Sequence, residues 1–145
     1  MQHGKFNVVT DGQWGSCGKG LVTTALADKH RPEIITTTNM ANAGHTAVNV
    51  DGQKFVAKAL PSATMLSKWL TDYAPWIVVG PSAAFDLTQM LHEINICGVE
   101  GKTVIHPRAG VILDKHKTAE CDRSEEHTSE LQSHSDLVCR LLLEK

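Results

Sequence analysis

The sequence lacks the arrangements that would assign it to several common classes. Its four cysteines, Cys17, Cys97, Cys121 and Cys139, form no CxxC pair and follow no metal-ligand spacing. None of its eight histidines stands in an HxxxH or HExxH pair, so no zinc site is expected. There is no long apolar stretch and no signal peptide, so the expectation is a cytoplasmic protein with reduced thiols and no membrane partner. There is no excess of charge either. A net charge of −2 gives no reason to expect nucleic acid or an acidic lipid surface as partner. Internal repeats and low-complexity segments are also missing. What remains is an ordinary globular composition. With 145 residues, 41% of them hydrophobic, the chain is long enough for one domain with a buried core.

The last twenty-three residues, RSEEHTSELQSHSDLVCRLLLEK at 123–145, form a polar stretch and then a short apolar run. At face value they make a weak terminal helix. A sharper reading exists. RSEEHTSELQS back-translates without a gap into a widely used sequencing-library adapter, and DLVCRLLLEK into the far end of that adapter and its poly-A tail. His134, Ser135 and part of Asp136 fall where the variable index would sit. Both matches lie in one frame and in the right order. The expectation is therefore a native fragment at 1–122 followed by adapter read-through at 123–145, with the natural protein continuing past about Asp122. The tail holds three basic and five acidic residues, so the charges of residues 1–122 balance.

Within residues 1–122, the β-branched run at 6–10 predicts a buried strand, and a glycine-rich loop follows at once. Residues 18–30 predict a helix with Leu21, Ala25 and Asp28 on a partly apolar stripe, stopped by Pro32. EIITTT at 33–38 predicts a second strand. The flanks of Asp51-Gly52 predict a β-hairpin, with those two residues supplying the positive φ of a tight turn. WIVVG at 76–80 predicts another buried strand. Ser82 is placed to cap a helix that runs to about Ile96, with Leu87, Met90, Leu91 and Ile94 on one face and Gly98 at its end. TVIH and GVIL are further short strands. Strands alternating with helices predict an α/β fold: a mostly parallel sheet with flanking helices, its first loop at the ligand-binding edge.

DGQWGSCGKG at 11–20 carries the chemistry. A strand, a glycine loop and a helix make an anion-binding geometry, to which Lys19 adds a full positive charge. The spacing is not that of the common phosphate loop, which would need glycine at Gln13 and Ser or Thr at Gly20. No carboxylate lies between the glycines from Gly12 to Gly20.

GQWGSCGKG at 12–20, NAGHT at 42–46 and ALPS at 59–62, in that order and spacing, resemble the adenylosuccinate synthetase family; ILDKH at 112–116 does so more loosely. The resemblance spans nearly all of residues 6–117 and implies a truncated part of that family's fold, which is akin to the phosphate-loop NTPases. It implies a C–N-forming ligase that joins L-aspartate to a 6-oxopurine nucleotide, driven by a nucleoside triphosphate with Mg²⁺ as cofactor. Carried over by position, Gly15, Ser16, Cys17, Gly18, Lys19 and Gly20 wrap the donor phosphates. Lys19 neutralises charge between the γ-phosphate and the purine O6. His45 donates to the phosphoryl group or the leaving oxygen. The Gly44 carbonyl is a hard ligand for Mg²⁺. Asn42 contacts the purine nucleotide, and Ala43 and Thr46 complete the nucleotide-binding loop. The resemblance also implies a homodimer at full length.

Ser16 departs from the pattern, because the adenosine-pathway enzymes carry there an aspartate that takes the proton from purine N1 and ligates Mg²⁺. A serine hydroxyl is neutral at pH 7 and a poor base. It also leaves room for the 2-amine that guanine has and hypoxanthine lacks, with an oxygen to accept its hydrogen bond. The loop resembles that of the phage branch, 2-aminoadenylosuccinate synthase, which uses dGMP for diaminopurine DNA synthesis and would place the protein in a phage-infected host. The alternatives are a ligase acting on IMP with GTP and a non-catalytic nucleotide-binding homologue. Donor choice among ATP, dATP and GTP is open.

Overall fold

The computed structural model describes residues 6–10, 12, 17–41 and 43–116. In chain order the elements are α1 (Lys19–His30), β1 (Ile34–Thr37), β2 (His45–Val48) and β3 (Lys54–Ala57). A 3-10 turn (Ser62–Met65), α2 (Leu66–Trp69), β4 (Trp76–Val79), β5 (Ala84–Asp86) and α3 (Leu87–Cys97) follow. A second 3-10 turn (Glu100–Lys102), β6 (Thr103–Ile105) and β7 (Gly110–Ile112) complete the set. The central sheet is parallel in the order β1-β4-β6. β2 and β3 form an antiparallel hairpin, and β5 pairs parallel with β7. This is the expected α/β architecture with mostly parallel strands.

Alternation along the strands sorts the sheet into two faces. Ile35, Thr37, Ile77 and Val79 are buried. Ile35, Ile77 and Val79 share one core cluster with Ala27 of α1, Ala63, Met65 and Leu66 at the 3-10 turn and α2, and Met90 and Cys97 of α3. Burial pushes the Cys97 thiol up to about 12, with the Glu93 carboxylate adding to the shift. The other face carries Ile34, Trp76 and Val104, between 48% and 59% exposed.

Four local expectations need correction. Residues 6–10 form no strand; Phe6 is 79% and Val8 70% exposed, because among the described residues the run has no ladder partner. The buried face of α1 is Gly20, Thr24 and Ala27, whereas Leu21 is exposed. Small residues at that spacing let the helix lie close against β2. In the hairpin turn only Gly52 takes positive φ. Gly52 N–H donates to the Asn49 carbonyl at 3.1 Å, and the Asn49 side-chain oxygen accepts from the Asp51 and Gln53 N–H groups. A three-residue loop with one left-handed glycine thus replaces the tight turn. Finally, α3 is capped by Asp86, whose carboxylate accepts from Gln89 N–H at 2.9 Å, because residues 84–86 are taken by β5 and Ser82 lies in the preceding turn. Gly98 ends α3 in the left-handed conformation, as expected, with Val99 N–H closing onto the Ile94 carbonyl.

Candidate active site

The site is built where the first turn of α1 meets the first residues of β2. Gly18 precedes the helix at φ 77, ψ 21, a left-handed conformation that a side chain would strain. Lys19 is the first helical residue. Gly20 is the contact point. A Cβ there would stand 2.8 Å from the Thr46 carbonyl oxygen and 2.9 Å from His45 Cβ, so only glycine allows this approach. The helix start at Gly18, Lys19 and Gly20 is therefore joined in space to His45 and Thr46. The next residue, Ala47, is completely buried and anchors β2 behind them.

Two hydrogen-bonded supports hold this junction. His45 Nε2 lies 3.2 Å from Asn39 Oδ1. Asn39 is itself tied down, since its carbonyl accepts from Ala84 N–H at 3.0 Å. On the helix side, Ser62 Oγ donates to the Gly20 carbonyl at 3.0 Å, and Thr24 Oγ1 donates to the same carbonyl at 2.8 Å. Ser62 is the last residue of the ALPS stretch, which gives that stretch a structural task. Neither Asn39 nor Thr24 was marked by sequence reasoning. Asn39 lies in the polar loop before NAGHT, and its only signal was an amide close to a histidine. Thr24 sits at i+4 from Gly20, where a helical threonine bonds back to the preceding turn.

Of the other expected site residues, Cys17 and Ala43 are half-buried, and Gly44 is exposed. Gly15, Ser16 and Asn42 lie outside the described residues. Among the described residues no three His, Cys, Asp or Glu side chains cluster to hold a metal. The exposed Gly44 backbone suits an ion that arrives on phosphate oxygens and takes one carbonyl from the protein, since Mg²⁺ commonly keeps few protein ligands. No helix among the described residues is long and apolar enough to cross a membrane. Asp114 of the ILDKH stretch lines a cleft of about 530 Å³ with Ala41, Lys58, Asp86, Thr88 and Gln89. That cleft lies beside the NAGHT loop.

The described residues thus form a mostly parallel α/β domain in which a glycine-bounded helix start is pressed against a histidine-bearing strand. Comparison names the class: the adenylosuccinate synthetase family model matches residues 8–135, and the chain belongs to that family. It is 36% identical over 115 residues to the N6-succino-2-amino-2'-deoxyadenylate synthase of Salmonella phage PMBT28, covering 77% of this chain and 30% of that protein. It is 31% identical over 121 residues to the adenylosuccinate synthetase of Methanocaldococcus jannaschii, covering 83% of this chain and 33% of that one. The structure of the cyanophage S-2L succinoaminodeoxyadenylate synthetase bound to dGMP and dATP superposes with a TM-score of 0.60 at 32% identity, over 76% of this chain and 30% of that one. The chain thus spans about a third of the length of these relatives.

Proposed function

We propose that the chain is part of a ligase that joins L-aspartate to C6 of dGMP, with ATP, dATP or GTP as phosphate donor. The observation that supports this chemistry is the apposition at Gly20, which sets the start of α1, with Lys19, against His45 and Thr46. Backbone N–H groups and the helix dipole favour an anion at that end. In the first step the purine O6 attacks the γ-phosphate and the nucleoside diphosphate leaves. Lys19 and His45 stabilise the charge that spreads over the transferring phosphoryl oxygens, as a cation and a hydrogen-bond donor. In the second step the aspartate amine adds at C6 and phosphate departs. Gly15, Ser16, Cys17 and Gly18 complete the phosphate loop, and Asn42, Ala43 and Thr46 the nucleotide contacts. The Gly44 carbonyl, with the Ser16 hydroxyl as a weaker second ligand, would hold Mg²⁺, which would neutralise donor phosphate charge. The complete enzyme acts as a homodimer in the cytoplasm of a phage-infected cell.

The choice of dGMP rests on Ser16, which accepts the guanine 2-amine, and on the phage relatives. The archaeal relatives favour the second reading, IMP as substrate. The deciding experiment uses the reading frame recovered from the source DNA, sequenced across codon 123 to test the adapter reading of residues 123–145. Phosphate release is measured with aspartate, Mg²⁺, ATP or GTP, and either dGMP or IMP. The expected result is a preference for dGMP of about tenfold or more. Preference for IMP overturns the substrate, and silence with both overturns the ligase reading.

A further inference from the structure

Glu93 is completely buried in the middle of α3, where uncharged backbone and amide donors meet its carboxylate. Its carboxylate accepts from three consecutive backbone N–H groups: Lys58 at 2.8 Å, Ala59 at 3.1 Å and Leu60 at 2.8 Å. Gln89, one turn earlier, donates its side-chain amide to the same carboxylate at 2.8 Å. Residues 58–60 have no sheet ladder of their own, so Glu93 supplies the acceptors that a strand partner would otherwise give. Burying a carboxylate is unfavourable unless it is fully hydrogen-bonded, and here it is met by four donors.

The position of this clamped segment gives the arrangement its meaning. Immediately before it, Ala57 is the ladder partner of His45. Immediately after it, Pro61 leads to Ser62, which donates to the Gly20 carbonyl. One six-residue stretch, 57–62, therefore touches both halves of the candidate site, and Glu93 fixes that stretch from behind.

We propose that Glu93 is a positioning residue for the phosphoryl-transfer step: through residues 58–62 it sets the distance between the start of α1 and His45. It touches no reacting atom. The proposal rests on the ligase reading for its kinetic consequence, while its geometric consequence stands apart from it. Glu93→Gln retains size and hydrogen-bonding character but replaces one acceptor oxygen with an NH₂ that faces backbone N–H donors. Glu93→Leu removes every acceptor.

Two measurements test it. In the 145-residue chain, backbone amide spectra and hydrogen exchange are compared between wild type, Glu93→Gln and the control Leu91→Gln, whose site on the same helix is 59% exposed. Glu93→Gln is expected to shift the Lys58–Leu60 amides and, beyond them, those of Gly20 and His45; the control is not. In the completed enzyme, with whichever purine nucleotide the wild type uses, kcat is expected to fall by about tenfold or more in Glu93→Gln while KM stays within about twofold. Activity is normalised to folded protein. Glu93→Leu is expected to be worse and Ser62→Ala to fall in the same direction by less. Unmoved Gly20 and His45 amides overturn the proposal, and so does an unchanged kcat per folded molecule. If the wild-type enzyme is inactive with both nucleotides, the ligase reading fails, and the amide shifts alone decide the coupling.

Discussion

The two faces of the parallel sheet are unlike. On one, Ile77 and Val79 are completely buried beneath three helices, and the same layer carries the junction of α1, β2 and residues 58–62. On the other, Ile34 and Trp76 stand side by side in the ladder and are 59% and 48% exposed. Parallel sheets occur with both faces covered. The dressed face is the one that builds the candidate site, and the bare face has an apolar composition without the packing. A residue's chemistry therefore predicts little here about its energetic weight: Ile34 and Ile77 differ by the face they occupy.

Replacing Ile77 by alanine breaks the dressed face at its centre. The expected loss is about 2–5 kcal/mol, the range for large-to-small changes at buried aliphatic positions. A urea titration followed by circular dichroism, with wild type and variant side by side, measures it. A loss below about 1 kcal/mol would mean that the layer is loosely packed and that both faces are equally unsupported.

Gly20→Ala acts on the same layer with a smaller effect on stability and a larger one on the site. The added methyl meets two backbone atoms of Thr46, at 2.8 and 2.9 Å, which cannot rotate away. Overpacking of this kind costs about 1–3 kcal/mol, and it must lift α1 from β2. The expected signature is a moderate fall in urea midpoint with loss of nucleotide binding in the completed enzyme, read by calorimetry. Wild-type affinity in the variant would separate Gly20 from the site.

Much of the fold was legible because its signals are local. β1, β4 and the hairpin follow from β-branched runs and a glycine turn, and the end of α3 follows from Gly98. Gly20 and His45, which the structure sets in contact, were marked by motif resemblance and not by physics. What escaped depends on partners distant in sequence. Residues 6–10 have strand composition, yet a strand exists only with a ladder partner. α1 has Leu21 and Val22 to bury and instead buries Gly20, Thr24 and Ala27, because close approach of β2 selects for small residues. Glu93 was invisible because a carboxylate at i+3 from Met90 reads as a flaw in an apolar stripe, until three backbone N–H groups converge on it.

The smallest effect belongs to the bare face. Ile34→Thr keeps the β-branched side chain, which preserves strand preference, and replaces one exposed methylated arm with a hydroxyl that water can reach. The expected change in stability is within about 0.5 kcal/mol, the range for surface substitutions that touch no special feature. Self-association should respond more than stability, since Ile34, Trp76 and Val104 share an exposed sheet face, and such patches drive association. Sedimentation velocity on the 145-residue chain should show a shift toward monomer in the variant at equal concentration. If Ile34→Thr instead destabilises the chain as much as Ile77→Ala does, the face is covered in solution, and the contrast between the two faces disappears.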